Sequence, residues 1–319
     1  MKNIAILLIL AAVGCTAVAP HIDVTRRTAH FDVAGADDAL AREAEEAWRM
    51  LAEVLQIEPA RATIVAVADQ AAFDRAAPEA AGAQGLYRPR GATIITFPQD
   101  DPAVIRHEVA HHFAVALVGE LSPALNEGIA EVLEGVTWIG GRVHVPVVSP
   151  EHLERLLETG VVELTSNPSH RHSHVDYAGA WALVAFALER ETGTLRERLL
   201  AMASRSEVKP PTAGELLAAA ERWKPELGSI VLNGEVRGRA AAARLLGRLG
   251  EVKALRTAFA TERVVSPALA IAGALARHGE KAPLRSLIAF VACHLLREVS
   301  RSVGREFETV EALKVWLER

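Results

Sequence analysis

Residues 101 to 135, DPAVIRHEVAHHFAVALVGELSPALNEGIAEVLEG, constrain this chain more than any other stretch, because they spell two helices with almost nothing between them. Asp101 followed by Pro102 supplies an N-cap and a first-turn residue, and Gly119 closes the run, so a helix is predicted over 102–118. A Ser122-Pro123 cap and Gly135 bound a second helix over 122–135. At about 100° per residue, His107, Glu108 and His111 fall on one arc of the first helix. Ile105, Val109, Phe113, Ala116 and Leu117 occupy its other side. Glu127 and Glu131 share a face of the second helix, and Gly128 permits close approach to another backbone.

Two imidazoles one helical turn apart can reach a single tetrahedral ion, and neutral nitrogens plus a carboxylate suit zinc. A catalytic zinc needs a third protein ligand and an open position, and the second helix offers Glu127 and Glu131. Without the upstream histidines both would read as a solvated acidic face. His112 lies off the arc and is expected on the helix flank or behind the ligands.

HEVAH followed by LNEGIAE resembles the gluzincin metallopeptidases, the thermolysin-like and peptidase-MA-like class. The resemblance covers roughly residues 28–205 in element order: a small sheet, the zinc helix, the glutamate helix and further helices. It implies one zinc ion on His107, His111 and Glu127, the last from its Asn-Glu context, with Glu108 as general base. Fifteen residues separate His111 from Glu127, which demands a tight connection, whereas Glu131 has the nineteen-residue spacing of thermolysin-like enzymes. Glu131 is therefore the rival ligand, or otherwise the residue that orients a zinc-bound histidine. Tyr177, opening DYAGAWALVAFALER, resembles the segment that closes the site in peptidase-MA-like proteins and is the expected oxyanion donor, with His174 as the second candidate. His170, His172 and His174 stand at alternate positions in a polar loop that could also face substrate or a second metal. Tyr87, in GLYRPRGATIITF, is expected to line an edge or cleft. No Gly-x-Met-Glu-Asn segment is present, which directs the expectation toward an endopeptidase.

Alternating and β-branched runs (TAHFDVAG, ATIVAVA, GATIITF) flank a helical stretch at ADDALAREAEEAWRMLAEVLQI, and TWIGGRVHVPVV reads as a hairpin. The expected class is α+β: a small mixed sheet followed by a helical zincin-type catalytic subdomain, then an all-α repeat-like C-terminal region. RLGEVKALR at 248–256 returns as RHGEKAPLR at 277–285, a 29-residue period that resembles short HEAT-like hairpins. The expected organisation is an export signal at 1–19, a peptidase-MA-like domain at 20–205, a linker and helix at 206–233, and a HEAT-like region at 234–319.

After Lys2, IAILLILAAVG is short for a membrane span and has the character of a secretory core. AVA at 17–19 and the lipobox-like AAVGC compete as processing sites, and Pro20 disfavours the first. Lipidation at Cys15 and a place in the cell envelope, held by a lipid anchor only, are therefore expected, the other outcome being an ordinary secreted protein. Cys293 is the only other cysteine, so no intrachain disulfide supports the mature core, and it is expected to be a small buried hydrophobe. A net charge of −5 without a dense basic run argues against nucleic acid as a partner. The expected partners are a peptide or protein substrate and possible proteins on the C-terminal helices. The competing function is a catalytically inactive peptidase-fold lipoprotein that acts as an envelope scaffold.

Overall fold

The computed structural model of the protein describes residues 24–35, 38–98, 102–139, 142–145, 148–159, 177–291 and 293–319. The expected signal with Cys15, the Asp101 cap, Gly140 and Gly141, the loop with His170, His172 and His174, and the Cys293 side chain lie outside what is described.

The short β-branched runs assemble one mixed sheet. Strands β1 (Arg26–Arg27), β2 (Phe31–Ala34), β3 (Ala62–Ala66), β4 (Gly85–Arg88) and β5 (Thr93–Thr96) lie in the order β1-β2-β3-β5-β4. The three inner strands are parallel and the outer two antiparallel to their neighbours, which leaves β4 at an edge. A parallel step needs a crossover, and helix α1 (Asp38–Leu55) provides it between β2 and β3. Its Ala41, Ala44, Trp48, Leu51 and Leu55 recur at helical spacing and are buried. Trp48 meets Phe31 edge-on at 5.3 Å and Phe113 at 4.9 Å, tying the sheet to the next helix. On the opposite face, α2 (Gln70–Ala76) buries Phe73 in a small cluster with Ile95.

Helices α3 (Ala103–Val118) and α4 (Pro123–Glu134) are joined by residues 119–122 alone. The expected Ser122-Pro123 start is observed: Ser122 occupies the N-cap position, without a side-chain cap hydrogen bond, and the fixed φ of Pro123 starts the helix. One local expectation fails: the apolar and polar sides of α3 are not divided as expected, because Glu108, His111 and His112 are buried along with Ile105, Val109 and Phe113, whereas Ala116 is exposed. The reason is tertiary, because α1, α4 and β4 all pack against α3.

A two-stranded hairpin of β6 (Thr137–Ile139) and β7 (Arg142–His144) leads to α5 (Pro150–Thr159). Helix α6 (Tyr177–Glu189) is buried from Ala178 to Leu188 without interruption, as expected of a segment apolar on all sides. It lies so close to α4 that a Cβ at Gly128 would overlap the carbonyl oxygen of Ala180 and come within 2.7 Å of Val184 Cγ2. Gly128 is thus the residue that lets the glutamate-bearing helix reach its position.

The remaining chain is helical: α7 (Leu195–Ala203), α8 (Ala213–Arg222), α9 (Lys224–Asn233), α10 (Val236–Arg248), α11 (Val252–Thr261), α12 (Val265–Arg277), α13 (Ala282–Leu287), α14 (Cys293–Val303) and α15 (Val310–Glu318). Within it α10 packs on α12 and α12 on α14. The 29-residue period has a structural counterpart in two equivalent helix ends. Gly250 and Gly279 adopt left-handed φ values of 76° and 89°, and the following N–H groups close back onto Leu246 and Leu275 carbonyls at 2.9 and 3.1 Å.

Residues 204–212 are non-helical where the linker is expected, yet the core does not divide there. Trp223 packs on Trp181 at 6.0 Å and Phe186 at 5.5 Å. Further along, Arg244 of α10 makes two 2.7 Å hydrogen bonds to the buried carboxylate of Glu154 on α5. Two buried charges require such bidentate geometry to offset their lost hydration.

Candidate metal centre

The α3–α4 pair brings His107, His111 and Glu127 together. His107 Nε2 lies 3.2 Å from Glu127 Oε2, and His111 Nε2 lies 3.5 Å from the same oxygen. An ion about 2.0–2.1 Å from each of three tetrahedral donors sets those donors about 3.3 Å apart. The two separations match that edge length, so these residues fit a metal ion by both spacing and donor type.

Electrostatics reinforce the arrangement. Burial opposes ionisation of Glu127, but hydrogen bonds from His107 and His111 outweigh it and hold the carboxyl far below its ordinary range. Burial likewise opposes charge on His107, and its bonds to Glu127 and Glu134 overcome that and raise its pKa well above the ordinary value. A divalent ion would take over the compensating role of those protons, as metal binding to histidine displaces protons.

The outer contacts differ from expectation. His107 Nδ1–H donates to Glu134 Oε2 at 2.8 Å, with Glu131 Oε1 farther away at 3.6 Å. Glu131 instead accepts from His152 Nε2–H, a residue of α5, at 2.6 Å. The orienting role expected of Glu131 therefore falls on Glu134, because Glu131 is drawn away by a partner from a distant element. Glu134 was legible in principle, since 127, 131 and 134 follow the one-face spacing of a helix. His152 carries no such local signal.

Glu108 stands beside this group in a dry position. Burial raises its pKa, only partly countered by His111 and His107, and Oε2 has no hydrogen-bond partner among the described residues. His111 Nδ1 is likewise unpartnered among them. The Glu108 carboxylate fits against the edge strand because residue 85 is glycine: a Cβ there would lie 2.5 Å from Glu108 Oε1.

His112 turns away, as its position off the arc requires. Its Nε2–H donates to the Ala60 carbonyl at 2.8 Å and its Nδ1 accepts from the Tyr87 hydroxyl at 2.9 Å. That pattern defines a neutral imidazole, consistent with burial lowering its pKa. Tyr87 does sit on the edge strand, but its phenol is buried in this pair and does not line a cleft; burial pushes it up to about 12.

Tyr177 opens α6 and stands beside His107. Its ring stands edge-on to that of His107 with centroids 6.1 Å apart, and 38% of the residue is exposed. Burial of its hydroxyl, with Glu127 nearby, pushes the pKa up to about 12, so the group is a hydrogen-bond donor at neutral pH. His174, the second candidate donor, lies outside the described residues.

Comparison of the chain with protein-family models and with curated proteins gives no match.

Proposed function

We propose that the chain is a zinc-dependent peptidase of gluzincin type, an endopeptidase exported to the cell envelope and held there by a lipid on Cys15. The observation that carries this reading is the convergence of His107 Nε2, His111 Nε2 and Glu127 Oε2 beside the unpartnered carboxylate oxygen of Glu108. Two imidazoles and one carboxylate form the donor set of a hydrolytic zinc site. Bound there, zinc supplies Lewis-acid polarisation of the scissile carbonyl and acidification of water.

The chain's own residues account for the rest. Glu108, buried and poorly solvated, is the group that accepts a proton from the attacking water and returns it to the departing amine nitrogen. Tyr177 donates its O–H toward the oxyanion that develops on the substrate carbonyl. Glu134 fixes the His107 ring by accepting its Nδ1–H. Strand β4 borders Glu108, and among the described residues no further strand pairs with its outer edge. An extended peptide added there would run past the carboxylate in both directions, which supports cleavage within a chain.

The test combines metal analysis of the purified chain with cleavage of a peptide library, with and without chelator. Glu108→Gln should retain zinc and lose about a hundredfold to ten-thousandfold in kcat. Unchanged turnover in that variant overturns the mechanism, and a chain without zinc overturns the assignment.

A further inference from the structure

We propose that His152 is a positioning residue of this site: by holding Glu131, it leaves the Nδ1–H of His107 to Glu134 alone and so fixes the ring that faces the metal. The inference rests on the metal-site reading above. Two carboxylates stand within reach of one imidazole proton, Glu134 at 2.8 Å and Glu131 at 3.6 Å, and a single N–H can satisfy only one of them well. The competition is settled from outside the pair. His152 Nε2–H bonds Glu131 Oε2 at 2.6 Å, which turns that carboxylate toward α5.

His152 is itself held firmly. Its ring stands edge-on to Trp181 at 5.7 Å, and α5 is anchored two residues later by the Glu154–Arg244 pair. Arg248 of α10 and Arg301 of α14 also pair with Glu158 at the end of α5. The C-terminal helices therefore grip the element that carries His152.

Without His152, Glu131 would be free to draw the His107 ring toward itself, rotating Nε2 away from His111 and Glu127. The decisive variants separate packing from bonding. His152→Phe preserves the contact with Trp181 but donates nothing, whereas His152→Gln keeps an N–H for Glu131. Zinc affinity of the full chain, measured by competition with a chromophoric chelator, should fall about tenfold or more in His152→Phe and stay near wild type in His152→Gln. In a Glu131→Gln background, His152→Phe should cost no more than about twofold, because the competing charge is already gone. A rise or no change in affinity for His152→Phe overturns the inference, as does an equal loss in both Glu131 backgrounds. If the wild-type chain binds no zinc, or binds it undiminished in His107→Ala, the metal-site reading itself fails, a result distinct from either of these.

Discussion

Gly85 and Glu108 occupy a space that admits only one side chain: a Cβ at position 85 would lie 2.8 Å from Glu108 Cγ as well as 2.5 Å from its Oε1. The edge strand and the carboxylate are thus in direct register. Gly85→Ala should displace Glu108 while leaving His107, His111 and Glu127 in place. The expected outcome is retained zinc with kcat lowered by about a hundredfold, since small misplacements of a reacting group carry costs of that order. Loss of zinc together with activity would show that the substitution disturbs more than this carboxylate.

Glu127→Ala should remove most of the zinc, and Glu131→Ala should remove less. The order follows from the distances: Glu127 Oε2 faces both Nε2 atoms, whereas Glu131 faces His107 Nδ1 and His152. Metal content after dialysis checks it, and the reverse order would return the ligand role to Glu131. Glu134→Ala should weaken binding about tenfold to a hundredfold by releasing the His107 ring.

Tyr177→Phe should lower kcat by about a hundredfold to a thousandfold, with zinc content and substrate affinity largely preserved, because in the proposed mechanism the phenol acts on charge that exists only in the transition state. Steady-state kinetics on Tyr177→Phe and His174→Ala decide between the two donors. A large effect in the histidine variant and a small one in the tyrosine variant would transfer the role to His174.

Gly128→Ala should destabilise the fold by about 1–3 kcal/mol, the usual range for overpacking, because the added methyl meets backbone that cannot withdraw easily. Denaturant unfolding measures the loss. A variant as stable as wild type would mean that α4 and α6 separate at little cost.

Wild-type protein should incorporate a fatty-acid probe and partition with membranes, and Cys15→Ser should abolish both. A mature amino terminus at Pro20 would instead identify an ordinary secreted protein.

Helical period alone placed His107, Glu108 and His111 on one arc and Glu127 with Glu131 on another, because neighbours three and four apart are set by backbone geometry. The close approach at Gly128 and the position of Tyr177 at a helix start were likewise legible as local features. Burial of both sides of α3 was not, since it depends on α1, α4 and β4 arriving from elsewhere in the chain. Nor could local spacing decide that Glu134 accepts the hydrogen bond from His107 Nδ1–H. That choice belongs to His152, 21 residues beyond Glu131, and a hydrogen bond across that separation forms only when packing has already set α5 against α4. The same holds for the dry surroundings of Glu108: its place on the helix follows from the sequence, but the burial that raises its pKa is tertiary, with the edge strand packed close against it where Gly85 leaves room.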